Sequence, residues 1–157
     1  MFKKNIFLII LIIAIVSVFF IKQNFFKSNF KTESDINKIQ YVKIAGKIIK
    51  VDLAVTAEEQ KNGLSGRKEL KENEGMLFVF NYINKHSFWM KDMNFPIDII
   101  WIGDDLRVVF IKENALPESY PEAFIPDQDA RYVLEVFPSF SEKNNLKVGQ
   151  KVEFLSS

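Results

Sequence analysis

The amino-acid sequence predicts an α+β, β-rich fold: a single small, partly closed barrel-like domain with two short helices, preceded by one N-terminal transmembrane helix. Three observations lead to this prediction. An uncharged apolar run fills residues 6–21, short runs with period-2 alternation recur after residue 40, and a helix-capping pattern stands between two of these runs. A chain of 157 residues is long enough for one such domain and hardly for two.

The N-terminal segment is predicted to be a membrane anchor. Residues 6–21 read IFLIILIIAIVSVFFI, in which Ser17 is the one polar residue. A helix over this run is roughly 24 Å long, and residues 5–26 reach across a ~30 Å hydrocarbon core if Lys22 extends to the interface. We therefore expect a cytoplasmic tail at 1–5, a transmembrane anchor at 6–21 and a polar linker at 22–39.

A cleaved signal peptide and a buried core helix are the alternatives to an anchor. No small-x-small cleavage site follows the run, and the run has no polar face, so the anchor is favoured. The positive charges on its two sides balance, with the α-amino group and two lysines before the run and three lysines after it, but a short basic start before an apolar helix is typical of an export signal. We expect a single-pass protein of the cell membrane with its globular domain, residues 40–157, outside the cytoplasm.

The globular domain is predicted to begin with a hairpin and a short helix. Residues 41–45 and 47–54 are strand candidates joined at Gly46, and the second alternates apolar with polar residues. Thr56 and Glu59 form a capping-box pattern, and Gly63 is expected to end the helix in the left-handed αL conformation.

The rest of the domain is predicted to be mostly short strands. A second short helix is expected near 139–144, and the proline-bearing segment 117–129 is expected to be a surface loop. The further strand candidates are 76–80, 87–92, 97–102, 107–112, 132–137 and 151–155.

Composition excludes several kinds of site. The chain has no cysteine and one histidine, so disulfides and cysteine nucleophiles are excluded, and we expect no metal site and no cofactor. Residues 1–31 hold five lysines and no acid, so the total of +1 leaves −4 for the rest. A mildly acidic domain is not expected to bind nucleic acid.

Several segments together resemble one protein family. They are VDLAVTAEEQKNGLSGR, EGMLFVF, SFWMKDMNFPIDIIWI, ARYVLEVF and LKVGQKV, and they closely resemble Domain of Unknown Function 192, also called uncharacterised protein family 0127. The resemblance runs from about Val51 to Val152. It implies a single β-rich, barrel-like domain, often behind an export signal or anchor, with no agreed activity. The chain departs from the family pattern at Ala57, at Asp92 and Met93, and at Gln150.

The block FWMKDMNFPIDII supplies the first candidate site. If residues 93–96 form a hairpin loop, Lys91 lies opposite Asp98, and alternation places Trp89 on the same face. The group is then either a cross-strand ion pair beside a core indole, or the lining of a cleft for a sugar or another polar ligand with an apolar face. Arg67, which follows the first helix, is a further candidate for ligand binding, although a structural ion pair with an acidic residue is the favoured interpretation.

Two hypotheses of function follow. The first is a non-catalytic binding or accessory module for an envelope component, such as an envelope glycan, a small polar ligand or a protein partner, with Trp89, Lys91, Asp98 and Arg67 as ligand-binding candidates. The second is a hydrolase or transferase acting on an envelope polymer, with Asp98 and Glu135 as acid and base and Lys91 tuning their pKa values. The lone His86 is expected to be an exposed residue at a strand entry.

Overall fold

The structure is a computed structural model that describes residues 36–156. The predicted tail, the anchor at 6–21 and most of the linker therefore lie outside the described residues. Within 36–156, no helix combines the length and the apolar character that a bilayer crossing requires.

Between Ile39 and Ser156 the chain is mostly β-strand, with two short α-helices, as the sequence predicts. The elements are β1 (Ile39–Ile44), β2 (Lys47–Ala54), α1 (Ala57–Asn62), β3 (Glu74–Asn84), β4 (Phe88–Trp89), β5 (Ile97–Ile102), β6 (Val108–Ala115), a 3₁₀ turn (Pro117–Ser119), β7 (Ala123–Phe124), β8 (Ala130–Val136), α2 (Phe140–Lys143) and β9 (Glu153–Ser156).

Seven of these strands form one mixed sheet in the order β6-β5-β8-β3-β2-β1-β9, and β4 pairs with β7 in a separate two-stranded ribbon. The pair β2 and β3 is parallel, whereas the other pairs are antiparallel. A parallel pair needs a crossover connection, and residues 55–73, which contain α1, supply it. The crossover places α1 beside the middle of the sheet.

The prediction of a partly closed barrel is wrong, because the sheet stays open. The chain before β9 approaches the start of β6 through an isolated bridge between Arg107 and Lys151. Two backbone hydrogen bonds between Val108 and residues 149–150 support this bridge. Closure into a barrel requires a continuous hydrogen-bonded ladder between the two edge strands, β6 and β9. This short contact connects the two edges but does not form such a ladder.

Apolar side chains cover both faces of the sheet. Successive residues of β3 point to opposite faces, so Leu77 belongs to one core cluster and Phe78 to the other. All six residues of β5 are buried for the same reason. The cluster on the Leu77 face includes Ile100, Leu134 and Val136, and the cluster on the Phe78 face includes Ile99, Trp101 and Val133.

The helix α1 begins with the predicted capping box. The Glu59 amide donates to Thr56 Oγ1 at 3.2 Å, and the Thr56 amide donates to Glu59 Oε2 at 2.8 Å. Hydrogen bonds from the backbone amides of Thr56 and Val55 to the Glu59 carboxyl lower the pKa of this exposed group, because they favour its charged form. Gly63 ends the helix as predicted, but its ψ of −132° at a φ of 49° lies outside the αL region.

The predicted hairpin between residues 89–92 and 97–100 is wrong. The strand β4 contains only Phe88 and Trp89 and pairs with β7, so Trp89 lies opposite Ala123. The backbone leaves the extended conformation at Asp92, where φ is +55°. As a result Lys91 is an exposed turn residue that does not face Asp98.

Candidate functional site

The candidate site is a cleft of about 310 Å³ on the Phe78 face of the sheet. One wall is the C-terminal end of α1 at Gly63 and Leu64, and the other walls are the outer half of β3 and the segment 84–89. A Cβ atom on Gly63 would lie 3.2 Å from Phe78 Cζ, so glycine allows the helix end to pack closely on the sheet here. The same position is 4.0 Å from Glu135 Oε2, which places the end of α1 over that carboxyl group.

Aromatic side chains form most of the apolar lining. The alternation of β3 places Phe78, Phe80 and Tyr82 on one face, and all three line the cleft. Phe88 packs edge-on against Phe78, with ring centroids 4.8 Å apart. Trp89 and Tyr82 also line the cleft and are 53% and 60% exposed, so a ligand entering it meets uncovered aromatic rings.

The wall formed by β3 is only partly held in the main sheet. The register between β3 and β8 shifts between Val79 and Asn84. Across this irregularity, the Arg131 guanidinium donates through Nη1 to the carbonyls of Phe80 and Asn81 at 3.4 Å each, and it also pairs with Asp104. Arg131 thus holds residues 80–81 through its side chain.

His86 is buried and packed against other residues of the cleft, so the expectation of an exposed residue is wrong. Its side chain is 8% exposed and its ring stacks on Phe80, with centroids 3.5 Å apart. The ring Nε2 lies 3.2 Å from the Tyr82 carbonyl, and the His86 carbonyl accepts a 2.7 Å hydrogen bond from Trp101 Nε1. Burial lowers the pKa of His86, so the imidazole is neutral at pH 7.

Glu135 lies at the floor of the cleft and is the one acidic residue among its described lining residues. It is 5% exposed, and its Oε2 atom has no hydrogen-bond partner. Burial raises the pKa of Glu135 to about 8, and the positive charge of Arg67 opposes this rise only in part. The carboxyl group is therefore mostly protonated at pH 7, and it can both donate and accept a hydrogen bond.

Arg67 does not bind Glu135 directly. Its Nη2 atom donates to Asp52 Oδ2 at 2.8 Å, and both side chains are partly exposed. The Arg67 carbonyl accepts a 2.8 Å hydrogen bond from Asn94 Nδ2, which ties the crossover to the loop before β5. Arg67 thus acts on the cleft only through its long-range charge.

Asp98 lies on the opposite face of the sheet from Glu135. In the register of β5 and β8, Asp98 is paired with Val136 and Ile99 with Glu135, and side chains alternate along each strand. Asp98 is 0% exposed and accepts hydrogen bonds from the backbone amides of Asn114, Ser139 and Ser141, at 2.9, 3.1 and 2.8 Å. The predicted pair of carboxyl groups across one groove is not formed.

Of the residues predicted for the site, the structure brings only Trp89 and Glu135 into the cleft. Lys91 is exposed outside the lining, where its carbonyl accepts a 2.8 Å hydrogen bond from Ser65 Oγ. The sequence reasoning missed Phe80, Tyr82 and His86. The alternation of aromatic residues at 78, 80 and 82 was a usable signal, but a strand predicted to end at residue 80 hides it.

Comparison with known proteins identifies the family to which the chain belongs. Residues 40–154 match DUF192, which is described as "Uncharacterized ACR". The chain belongs to the DUF192 family. The DUF192 match covers all nine strands except the beginning of β1 and the end of β9, so the cleft lies wholly inside it.

Two solved structures resemble this DUF192 chain. One is a protein of unknown function from Novosphingobium aromaticivorans DSM 12444, with 36% identity and a TM-score of 0.69; the match covers 73% of this chain and 84% of that chain. The other, from Sinorhizobium meliloti 1021, is described as a "putative transcription regulator" and has 27% identity and a TM-score of 0.67, over 73% of this chain and 90% of that chain. No curated protein matches the chain.

Proposed function

We propose that this DUF192 domain is a non-catalytic binding module, tethered to the outer face of the cell membrane by residues 6–21, whose cleft takes a sugar ring of an envelope glycan. The observation that carries the proposal is the Glu135 carboxyl, which is buried at the floor of an aromatic cleft with an unpartnered oxygen. A buried polar group without a partner is costly in free energy, and a ligand hydrogen bond would remove that cost.

The aromatic residues at the cleft favour a ligand with an apolar face. Sugar rings present C–H faces that pack on exposed rings such as Trp89 and Tyr82, while their polar groups reach deeper hydrogen-bonding groups. Trp89 also packs edge-on against Tyr120, with centroids 6.1 Å apart, so its orientation is supported. A cleft of about 310 Å³ suits one ring rather than a polymer backbone.

Binding without catalysis is favoured over the hydrolase or transferase alternative. Glycoside hydrolysis uses two carboxyl groups across a groove, and the second candidate, Asp98, is saturated by three backbone donors on the other face. The one imidazole at the cleft has its Nε2 against a carbonyl group. Glu135 is thus the one carboxyl group among the described residues that line the cleft.

The regulator description of the Sinorhizobium meliloti protein suggests DNA binding as a competing function. Outside residues 1–31 the present chain carries a net charge of −4, which opposes association with phosphates. A duplex DNA therefore serves as a negative control in the binding experiment.

The binding experiment is a titration of the purified domain with soluble cell-wall glycan fragments and their component sugars, followed by the backbone N–H NMR signals of the cleft residues 84–88, which are present in every variant. We expect saturable shifts in the wild type, weakening by about tenfold or more in Trp89→Ala and in Glu135→Leu, which removes the hydrogen-bonding group, and no shift with DNA. Ile125→Ala, an exposed apolar substitution outside the cleft lining, is the matched control. Absence of binding to every sugar and fragment would overturn the proposal, and so would turnover of a bound fragment.

The tether has its own experiment. Full-length protein should stay with membranes in an alkaline carbonate wash, and protease added to intact spheroplasts should digest the domain. Full-mass protein released by the wash would contradict the anchor, and a protected domain would contradict its placement outside.

A further inference from the structure

We infer that the ligand of this cleft is an amino sugar, and that its free ammonium group binds the Glu135 carboxyl while its ring packs on the aromatic wall. This inference rests on the proposed function and names its ligand class. It depends on three features of the cleft: the unpartnered carboxyl oxygen, the exposed rings above it and the lack of a direct cationic partner for Glu135 among the described residues.

The first feature is the hydrogen-bonding demand of Glu135. Its Oε2 atom is closed off from solvent and has no hydrogen-bond donor. The strand β8 that carries it pairs with β3 on one side and with β5 on the other, so neighbouring backbone amides are already engaged in the sheet. Glu135 lines the cleft and keeps 5% of its surface exposed there, so its carboxyl group can be approached only by a small donor group of a ligand. An ammonium group carries three donors on one nitrogen atom, and a charge-assisted hydrogen bond is stronger than one from a neutral hydroxyl group.

The second feature is the ring-lined path to that oxygen. Tyr82 and Trp89 are exposed at the cleft, and the half-buried Phe80 and Phe88 line it further. Aromatic faces attract cations and also pack against the C–H face of a sugar ring. One set of side chains therefore suits both parts of an amino sugar.

The third feature is the placement of the protein's own charges. Arg67, the cation that affects Glu135, donates its guanidinium group to Asp52 instead. Lys61 from α1 and Lys85 from the loop after β3 also line the cleft, but both side chains are exposed and solvent screens them. The neutral His86 ring adds no charge. The ligand ammonium would thus be the only cation in direct contact with Glu135.

Binding of an ammonium group has a consequence that a neutral sugar does not share. The free carboxyl is protonated below pH 8, and the ammonium favours its ionised form. The ligand enters as a cation, Glu135 loses its proton to solvent, and an ion pair results. A proton is therefore released for each amino sugar bound at about pH 6, where a sugar amine is cationic.

The test compares glucosamine with glucose, which carries a hydroxyl group in place of the amine. Dissociation constants are measured by NMR at about pH 6 for the wild type and Glu135→Gln, and proton release is measured by calorimetry in two buffers of different ionisation enthalpy. We expect glucosamine to bind the wild type about tenfold or more tightly than glucose, with proton release, and the Glu135→Gln variant to lose the preference. N-acetylglucosamine, in which the amine is neutral, should behave like glucose.

The outcomes separate this inference from the proposed function. If glucose or N-acetylglucosamine binds as tightly as glucosamine, the inference is overturned and sugar binding stands. If the preference persists in Glu135→Gln, or no proton is released, the amine binds elsewhere and the inference is overturned. If no sugar binds the wild type, both fail together. Because proton release is measured on the wild type, the test does not depend on the folding of a variant.

Discussion

The carboxylate of Asp98 accepts a 2.8 Å hydrogen bond from the backbone amide of Ser141, and this bond ties the strand β5 to the first turn of α2. The other carboxylate oxygen accepts from the amides of Asn114 and Ser139. A side chain that looked like a candidate for chemistry thus serves as the common acceptor for three segments of backbone.

Substitution of Asp98 should therefore destabilise the fold. In Asp98→Asn the amide nitrogen faces a backbone donor, so at least one amide loses its partner, and we expect the free energy of unfolding to fall by about 2–4 kcal/mol. Urea unfolding measures the change, with Asp127→Asn as a control at an exposed aspartate. A loss no larger than that of the control would show that the three bonds contribute little.

Glu135 should make the stability of the domain depend on pH. Its pKa is about 8 in the folded chain and 4.5 in the unfolded chain, so the unfolded state binds fewer protons between these values. The free energy of unfolding should fall as pH rises through this window and level off above it. Glu135→Gln removes the ionisation, so the variant should match the wild type at pH 5 and exceed it by about 2–4 kcal/mol at pH 9.

Thermal and urea unfolding at pH 5, 7 and 9 check this prediction. Glu113→Gln is the matched control, because Glu113 is exposed and should leave the pH profile of the wild type unchanged. Parallel profiles for the wild type and Glu135→Gln would mean that the carboxyl is not desolvated in the folded protein.

Trp89 should matter for ligand binding and little for folding. Its side chain is about half exposed, so Trp89→Ala should change the free energy of unfolding by less than about 1 kcal/mol, while sugar binding weakens markedly. Unfolding curves and the sugar titration on the same preparation separate the two effects. A large loss of stability, or unchanged binding, would contradict the placement of Trp89 at a ligand site.

Lys91→Met should be silent in both measurements. The side chain is exposed and outside the cleft lining, and the hydrogen bond from Ser65 is made to its backbone carbonyl, which the substitution keeps. We expect a stability change within about 0.5 kcal/mol and an unaltered dissociation constant for the sugar. Weaker binding would show that the ligand extends beyond the cleft to the loop at residues 91–94.

Gly75→Ala should disturb the junction of β3 with β2 and β8. A Cβ atom at this position would lie 2.7 Å from the Glu135 carbonyl oxygen and 3.1 Å from Ile49 Cγ2. The carbonyl is backbone within the sheet and cannot move aside freely, so we expect a loss of about 1–3 kcal/mol in the free energy of unfolding. Equal stability of the variant and the wild type in urea would show that the strands separate easily here.

Local patterns predicted the local elements well. The alternation in residues 47–54 gave the bounds of β2, and the Thr56 and Glu59 pair gave the start of α1, because capping is decided by residues three positions apart. The run 97–102 was also found with its bounds. Each of these features is set by neighbours in the sequence.

The predictions that failed, the hairpin after Trp89 and the shared groove of Asp98 and Glu135, depend on pairings between residues far apart in the sequence. The ribbon of β4 and β7 joins residues about thirty-five positions apart, and two-residue strands leave no periodic signal. The sequence around Asp98 is apolar on both sides because the sheet is covered on both faces, so alternation could not tell which face the carboxyl occupies. Glu135 was predicted as functional from its residue type, but its solitary position at a cleft floor follows only from the tertiary fold.

The register shift between Val79 and Asn84 has a dynamic consequence. Residues 80–83 carry Phe80 and Tyr82 but lie across an interruption of the hydrogen-bonded ladder, so this stretch can open locally at less free energy than the uninterrupted part of β3 requires. Amide hydrogen exchange should be fast there and slow at residues 75–79. A large ligand would then enter when residues 80–83 open locally, and the rate of this opening would limit the rate at which the complex forms.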